Sequence, residues 1–477
     1  MLKNLKRLGG DSLLYALMNV GTKMIAFIMM PVYTHFLTTA EYAPVDIIDR
    51  WTSMLLFLVI LGTDSALAFY YFDTKDENKR KVYVQNVLNI RLAMVLLLFL
   101  VVVLVGPFFA DTLLKSDNGV YLLYLSIAIL LLDTLSALVL TVLRYEFKTL
   151  KVVILTVLKM LLVAIGSYLF LELVIESVEG IIYARIISGV LIVLLLARPL
   201  AKAINFKINK EVLKDLLKYG LPLVPASIAF WVILNSSSFF LAFMKTAEDV
   251  GIYGVATKFA ALITLVTSGI QMAWRPYSMS LKDKPDSKEL FSKVYLIILI
   301  MGTVGVLVVA TIMPYVILLL GDGYESAYQY VALLAAATFL NFYYLIISVG
   351  IFFQKKTKII SYAFMAAAVL NIVLNLLLIP KYSIWGVVVA FLVSNIIAVI
   401  YIFIKSQKIY YVPVSYWKMS LIFLIMLIGT IGIVYVQENG LSPLYIVLAW
   451  GVYLATLLIT RVDKELRKKQ STKQQIR

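Results

Sequence analysis

Six basic side chains lie inside apolar stretches of this sequence, where a charge is unfavourable. They are Lys23, Arg50, Arg91, Lys159, Arg185 and Lys258, and the acidic residues Asp46, Asp49, Asp64 and Asp133 accompany them. A charge at the centre of a membrane helix costs about 2.5 to 3.5 kcal/mol, so each should face a wet cavity or an opposite charge. Because Arg and Lys bind phosphate oxygens, this surplus of cations suits a phosphate or pyrophosphate group.

Four of the cations are the candidate binding residues. Lys23 lies in the middle of the first apolar run, too deep for its ammonium group to reach the interface easily. Arg50 and Lys258 fall at similar depths in two separate runs, although either side chain could simply extend to the membrane surface. Arg185 could line a cavity or serve structure. Arg91 and Lys159 lie within reach of the interface, which favours an anchoring role.

Asp64 and Asp133 have two open interpretations. Each carboxylate could pair with a neighbouring cation, which would be structural, or it could bind a coupling H⁺ or Na⁺. The sequence contains no Cys and a single His, His35, so no His or Cys cluster for a metal and no thiolate nucleophile can form. We therefore expect no metal site, no catalytic residues and no cofactor.

The elements that must position these charges are membrane-spanning helices. Of 477 residues, 62% are hydrophobic and 15% charged, too apolar a composition for one water-soluble core. Apolar runs of roughly 20 residues, enough for a helix to cross a bilayer, recur along the chain about fourteen times. The runs are long and unbroken rather than alternating, which excludes an outer-membrane barrel. The sequence predicts an all-α polytopic membrane protein.

Basic residues alternate between successive loops, which sets the orientation. Loops such as 75–81, 198–218 and 355–358 and the tail 461–477 are rich in Lys and Arg, whereas the loops between them carry mostly Glu and Asp. Short basic loops stay in the cytoplasm, so both termini should be cytoplasmic. The net charge of +16 therefore reflects topology and contact with anionic lipids, and it does not indicate a nucleic-acid partner.

The chain also contains an internal repeat. "TTAEY" at Thr38–Tyr42 is matched by "KTAED" at Lys245–Asp249, and Glu41 and Glu248 differ by 207 positions. "EFKTLK" before the fifth run resembles "FQKKTK" before the eleventh. Two units of six spans make parallel lobes with a substrate site between them. We expect lobes over residues 1–208 and 209–408, followed by two more helices and a basic tail over 409–477.

One stretch of the second unit resembles a known family. "GIFFQKKTKIISYAFMAAAVLNIVLNLLLIPKYSIWGVVVAFLVSN", Gly350–Asn395, is similar to the polysaccharide biosynthesis flippases of the multidrug, oligosaccharidyl-lipid and polysaccharide exporter superfamily. "MPVYTHFLTTAEY" and "QMAWRPY" look like the same family's patterns. One departure is "EYAPVDI", where Ala43 and Pro44 follow a Tyr that the family usually continues with Gly.

The resemblance implies a MATE-like fold, with two six-helix bundles in a V around a central cationic cavity. It implies a substrate as well, an oligosaccharide repeat unit on a polyprenyl pyrophosphate, flipped across a bacterial or archaeal cytoplasmic membrane for O-antigen or exopolysaccharide synthesis. A polysaccharide polymerase and glycosyltransferases would then be partners.

Three alternatives remain at this point. A membrane glycosyltransferase or polymerase would carry a long loop with carboxylate or His constellations, which the short polar breaks here do not offer. A multidrug:cation antiporter of the same fold would place acids where this chain places Lys and Arg. A lipid II-type peptidoglycan precursor flippase has a similarly charged substrate, and the sequence does not distinguish it.

Overall fold

The computed structural model describes residues 2–116, 118–281, 284, 286–354 and 356–460. For residues 2–13, 223, 226, 266, 272, 273, 275, 276 and 280 it describes the backbone alone. The basic tail predicted over residues 461–477 lies outside the described residues.

The described chain is helical throughout and contains no β-strand. Its α-helices are α1 (Leu2–Phe36), α2 (Thr39–Ile60), α3 (Thr63–Asp73), α4 (Glu77–Phe109), α5 (Gly119–Tyr145), α6 (Thr149–Leu173), α7 (Val178–Leu195), α8 (Ala197–Ala203), α9 (Lys210–Gly220), α10 (Val224–Met244), α11 (Ala247–Ala260), α12 (Ile263–Ser280), α13 (Ser287–Ile317), α14 (Tyr328–Ile347), α15 (Val349–Phe353), α16 (Lys358–Tyr382), α17 (Ile384–Ile409), α18 (Tyr416–Glu438) and α19 (Leu444–Ile459). A π-helical turn, Ala110–Leu114, and two 3₁₀ turns, Leu221–Leu223 and Glu325–Ala327, complete them. The predicted all-helical, multi-pass membrane fold is confirmed.

The expected number of fourteen spans is not confirmed. Eleven helices of the described chain are long and apolar enough to cross a membrane, or twelve if α2 and α3 form one bent span. The apolar run near residues 250–279, expected to be one span, is divided between α11 and α12, and the last run, near residues 443–460, forms α19, which has 16 residues. A helix of that length spans about 24 Å, less than the ~30 Å of a hydrocarbon core.

A sharp bend separates α2 from α3. The two helix axes differ by 41°. Leu61 and Gly62 both adopt left-handed backbone conformations, with φ of 45° and 69°. A Cβ on Gly62 would lie 2.4 Å from the Gly220 carbonyl oxygen, at the end of α9. Glycine is therefore required at this bend both by its φ and by the close backbone approach.

The two similar short motifs begin two helices in the same way. Thr38 caps α2 and exchanges hydrogen bonds with Glu41, and the Thr246 hydroxyl accepts from the Asp249 N–H at the start of α11. The pKa of Glu248 is lowered, because its own backbone N–H and the Thr246 hydroxyl hydrogen-bond to the carboxylate.

The starts of α2 and α11 align the two copies of the repeat at a slightly different spacing. The first residues, Thr39 and Ala247, are 208 positions apart, one more than the spacing of Glu41 and Glu248. Arg50 and Lys258 therefore occupy the same position, the twelfth, in their helices.

The chain separates into two compact units. Unit 1 contains Met1–Val255, Leu320–Tyr324 and Ala368–Ala390, and unit 2 contains Ala256–Leu319, Glu325–Ala367 and Phe391–Arg477. In unit 1, buried residues of α3, α4, α5 and α9 share one apolar core. In unit 2, α13 packs on α14 and α18, and the hydroxyls of Thr303 and Tyr453 lie 2.6 Å apart between α13 and α19. The lobes predicted over residues 1–208 and 209–408 stay a prediction.

Candidate functional site

The charges on α2 form the most buried ion pair of the described chain. Asp46 and Arg50 are four residues apart, so both side chains project from one face of the helix. The Arg50 Nε lies 2.7 Å from Asp46 Oδ2, and Nη2 lies 3.1 Å from Oδ1. Their side chains are only 9% and 1% exposed. This bidentate geometry is the strong form of an Arg–carboxylate interaction.

Side chains and backbone from later helices complete the bonding of this pair. The Ser238 hydroxyl on α10 donates to Asp46 Oδ2 over 2.8 Å, and Arg50 Nη1 donates to the Leu234 carbonyl over 3.4 Å. The guanidinium carbon of Arg50 lies 5.4 Å from the centre of the Tyr253 ring, a cation–π contact. We call these five residues, Asp46, Arg50, Leu234, Ser238 and Tyr253, the α2 polar cluster.

Arg185 pairs with the neighbouring acid of α2. Its Nη1 atom lies 2.5 Å from Asp49 Oδ1, and the two side chains are 19% and 27% exposed. The pair connects α7 with α2. Two cations predicted to bind substrate, Arg50 and Arg185, are thus held by consecutive turns of the same helix, each against a carboxylate.

Asp64 and Asp133 both accept from a cation. Arg91 Nη2 lies 2.5 Å from Asp64 Oδ1 and also donates to the Thr63 hydroxyl; Arg91 is buried, whereas the Asp64 side chain is 44% exposed. Lys159 on α6 pairs with Asp133 on α5, both half-buried. The carboxylates predicted either to pair with cations or to couple an ion therefore form ion pairs in this structure.

Lys23 and Lys258 complete the predicted set. Lys23 is half-buried in the middle of α1, and Lys258 is half-buried on α11. Lys23, Arg50 and Arg185 lie in unit 1, and Lys258 lies in unit 2. Their convergence on one cavity stays a prediction. Within the described ranges, no group of three or more His, Asp or Glu side chains could hold a metal ion.

Several hydrogen-bond and ion-pair partners of these charged side chains were not predicted from the sequence. The spacing of four between Asp46 and Arg50 is a readable signal for an ion pair on one helix face. Nothing in the sequence points to Ser238 or to the pairing of Asp49 with Arg185, because those contacts join residues 192 and 136 positions apart.

A family profile decides which group of proteins this chain belongs to. The profile described as "Polysaccharide biosynthesis protein" matches residues 8–282, more than half of the chain. The chain belongs to the polysaccharide biosynthesis protein family. This confirms the resemblance identified from its motifs. A sequence comparison with curated proteins gives no match.

Solved structures show which fold this polysaccharide biosynthesis protein shares. The lipid II flippase MurJ in an inward closed conformation matches with a TM-score of 0.66 and 16% identity, covering 95% of this chain and 99% of MurJ. An inward-facing multidrug resistance MATE transporter matches at 0.62 and 16% identity, covering 82% and 93%. A Vibrio cholerae MATE transporter matches at 0.53 and 16% identity, covering 85% and 96%. At these identities the similarity shows the fold alone.

Proposed function

We propose that this protein is a flippase, and not an enzyme, that moves oligosaccharide repeat units linked to polyprenyl pyrophosphate from the cytoplasmic to the outer leaflet. Two observations, taken together, support the proposal. The chain belongs to a polysaccharide biosynthesis family, and it shares nearly its whole fold with a lipid II flippase. Family membership supports the substrate class, and the activity is proposed by analogy with the flippase that has this fold.

The charged residues suit the headgroup of such a substrate. Lys23, Arg50, Lys258 and Arg185 would line a central cavity between two parallel lobes, 1–208 and 209–408, and hold the pyrophosphate. The six intramembrane cations outnumber the four intramembrane acids, so the charges inside the apolar runs are net positive. The lipid tail would stay in the bilayer, because exposing it to water would cost about 0.8 kcal/mol for each CH₂ group.

Alternating access would move the headgroup across the membrane. Rocking of the lobes would expose the cavity first to the cytoplasm and then to the outside. An inward flow of H⁺ or Na⁺ could drive this cycle, since each charge gains about 2.3 kcal/mol per 100 mV of membrane potential. Asp64 is the better position for that ion, because its side chain remains 44% exposed while paired with Arg91.

A lipid II-type flippase is the second candidate, and the similarity to MurJ favours it. Family membership favours the polysaccharide substrate instead. A multidrug:cation antiporter has the same fold but fits less well, because net positive charge repels cationic drugs.

The proposed location is a bacterial or archaeal cytoplasmic membrane with both termini in the cytoplasm. A polymerase and glycosyltransferases would act beside the protein, and anionic lipids would contact its basic loops. The alternation of basic loops supports this orientation.

Labelling of single cysteines tests the orientation, since the natural chain contains none. Lys210 and Asn118 are both exposed, at the start of α9 and just before α5. In intact cells, a membrane-impermeant maleimide should label Asn118→Cys and leave Lys210→Cys unlabelled until the membrane is opened. Labelling of Lys210→Cys in intact cells would show that the orientation is the opposite of the proposed one.

Complementation tests the substrate class. The gene should restore surface polysaccharide in a cell that lacks its own repeat-unit flippase, and it should not restore growth to a cell depleted of its lipid II flippase. The opposite pattern would assign the protein to lipid II. Growth protection against cationic drugs, without either rescue, would support the antiporter.

A further inference from the structure

The short segment between α8 and α9 displays large apolar side chains. Ile204, Phe206 and Ile208 are 46%, 77% and 62% exposed. The backbone is extended at both ends of this stretch, at Ile204 and at Asn209. Alternate residues of an extended chain point to the same side, so the three apolar side chains share one side of it. We call residues 204–208 the α8–α9 segment.

Amide side chains of α4 hold this segment in place. The Asn89 amide donates to the Asn205 carbonyl oxygen over 2.8 Å. The Asn205 amide donates in turn to the Gln85 side-chain oxygen over 3.3 Å. Just after the segment, the Asn209 N–H donates to the buried Asn86 side-chain oxygen over 3.0 Å. Asn205 and Asn209 alternate with the apolar residues, so these bonds fix the segment with its apolar side outward.

A fixed apolar surface is unusual for a connecting segment. Connecting segments run over the surface of a protein, and burial of large apolar side chains is favourable. The hydrogen bonds to α4 nevertheless keep the apolar side chains of the α8–α9 segment away from the core of unit 1. An exposed apolar patch with a polar rim marks a site of contact with a membrane or another protein. The segment therefore presents these side chains to a partner outside the chain.

Basic residues surround the α8–α9 segment. Arg198, Lys202, Lys207 and Lys210 are all exposed, and residues 198–211 contain one acid, Glu211. Apolar side chains flanked by Lys and Arg are typical of segments that lie in the interface of an anionic membrane. The charge of the surface therefore matches the phosphate groups of anionic lipids.

The position of the segment favours lipid over a protein partner. α7 is one of the helices long and apolar enough to cross a membrane, and Leu194 and Leu195 at its end are 64% and 56% exposed, as expected for side chains that contact lipid tails. Beyond this end, only Leu196 and the seven residues of α8 precede the segment, about 10 Å of helix. The α8–α9 segment thus lies within reach of the leaflet where α7 ends.

We propose that the α8–α9 segment is a membrane anchor. Ile204, Phe206 and Ile208 insert among the headgroups of the leaflet where α7 ends. Lys202 and Lys207 bind the phosphate oxygens of anionic lipids beside them. Insertion fixes the start of α9 at the membrane surface. The inference rests on the membrane location in the proposed function, and it does not depend on the substrate.

A spin label on the naturally cysteine-free chain tests the anchor. The full chain with Ile208→Cys, labelled with a nitroxide, is placed in nanodiscs of phosphatidylethanolamine and phosphatidylglycerol. Power saturation compares collisions of the nitroxide with oxygen, which enters the bilayer, and with a nickel chelate, which stays in water. We expect the label to resemble one on Leu194→Cys, at the exposed end of α7, and to differ from one on Lys79→Cys, near the start of α4.

Phe206 supplies the variant, and a second exposed phenylalanine supplies its matched control. Phe206→Asp removes the largest apolar side chain of the segment and should lower the ratio of inserted to free segment about tenfold, which moves the label at position 208 toward water. Phe147→Asp should leave the label unchanged, because Phe147 is 57% exposed in a different loop, before α6. Phosphatidylcholine in place of phosphatidylglycerol should weaken insertion, because the lysines lose their anionic partners.

Two results would overturn the proposal. A label at position 208 as open to the nickel chelate as the label at Lys79→Cys would reject the anchor and leave the apolar side chains to a protein partner. Insertion that is unchanged in phosphatidylcholine would reject the role of the lysines. If Phe206→Asp fails to fold, the depth of the label beside the natural Phe206 decides alone. The readout contains no substrate, so absence of flipping with a buried label would reject the proposed function and keep the anchor.

Discussion

Replacement of Asp46 by Asn should strongly destabilise the protein. The substitution leaves the Arg50 guanidinium buried beside a neutral amide, with the Leu234 carbonyl as a distant acceptor. Removing one member of a buried ion pair typically costs about 3 to 5 kcal/mol. We expect a lower midpoint of thermal unfolding in detergent and a lower abundance in the membrane, measured by fluorescence-detected size-exclusion chromatography.

Two further variants separate burial of a charge from loss of a bond. Asp46→Leu combined with Arg50→Met removes both charges and should recover most of the stability, because an apolar pair replaces a buried ion pair with little loss. Glu146→Gln breaks the exposed pair with Lys148, whose side chains are 38% and 57% exposed, and should change stability by about 1 kcal/mol or less. Wild-type stability in Asp46→Asn would show that Arg50 does not depend on its carboxylate.

Replacement of Lys23 by Ala should abolish most transport without changing the amount of protein in the membrane. Lys23 lies in the middle of α1, and under the proposed function its ammonium group holds the pyrophosphate. A charge-assisted hydrogen bond contributes about 1.5 to 3 kcal/mol, so its loss should slow flipping roughly tenfold to a hundredfold. Lys23→Arg keeps the charge and should recover much of the activity.

Complementation or a flipping assay gives the readout, with abundance measured alongside. Lys79→Ala is the control, because Lys79 is exposed near the start of α4 and should be dispensable for binding. Full activity in Lys23→Ala would remove Lys23 from the site. A loss shared by Lys23→Ala and Lys23→Arg would point to a role for the shape of the lysine rather than its charge.

The lengths of the apolar runs predicted most of the helices. The breaks that they did not predict lie where the backbone is irregular. Runs of apolar residues identified the helices because a bilayer requires continuous internal hydrogen bonding. The bend at Leu61 and Gly62 gave no such signal, since a glycine in an apolar run is common in membrane helices. The division of the apolar run near residues 250–279 into α11 and α12 was missed because Ala261 and Leu262, which separate the two helices, are ordinary residues of an apolar run. The bend at Gly62 depends on the close approach of Gly220, which a local pattern does not reveal.

The candidate site was predictable in its residue types and less so in its partners. Charges inside apolar runs are rare, so the sequence alone singled out Arg50, Arg185, Asp64 and Asp133. Arg50 pairs within its own helix, but pairing across helices depends on tertiary packing, as when Arg185 of α7 reaches Asp49 of α2. Gly251 and Gly321 carry no chemical signal, and only the close approach of their backbones to Thr39 and Thr34 distinguishes them from other glycines.

Flipping by the purified protein in proteoliposomes tests the central claim most directly. Vesicles would contain a fluorescent oligosaccharide on a polyprenyl pyrophosphate, and a membrane-impermeant reagent would report the fraction of headgroups in each leaflet. The account predicts rapid transfer between leaflets with the wild type, slow transfer with Lys23→Ala, and little transfer of lipid II. Transfer no faster than in protein-free vesicles, with ion gradients of either H⁺ or Na⁺ applied, would contradict it.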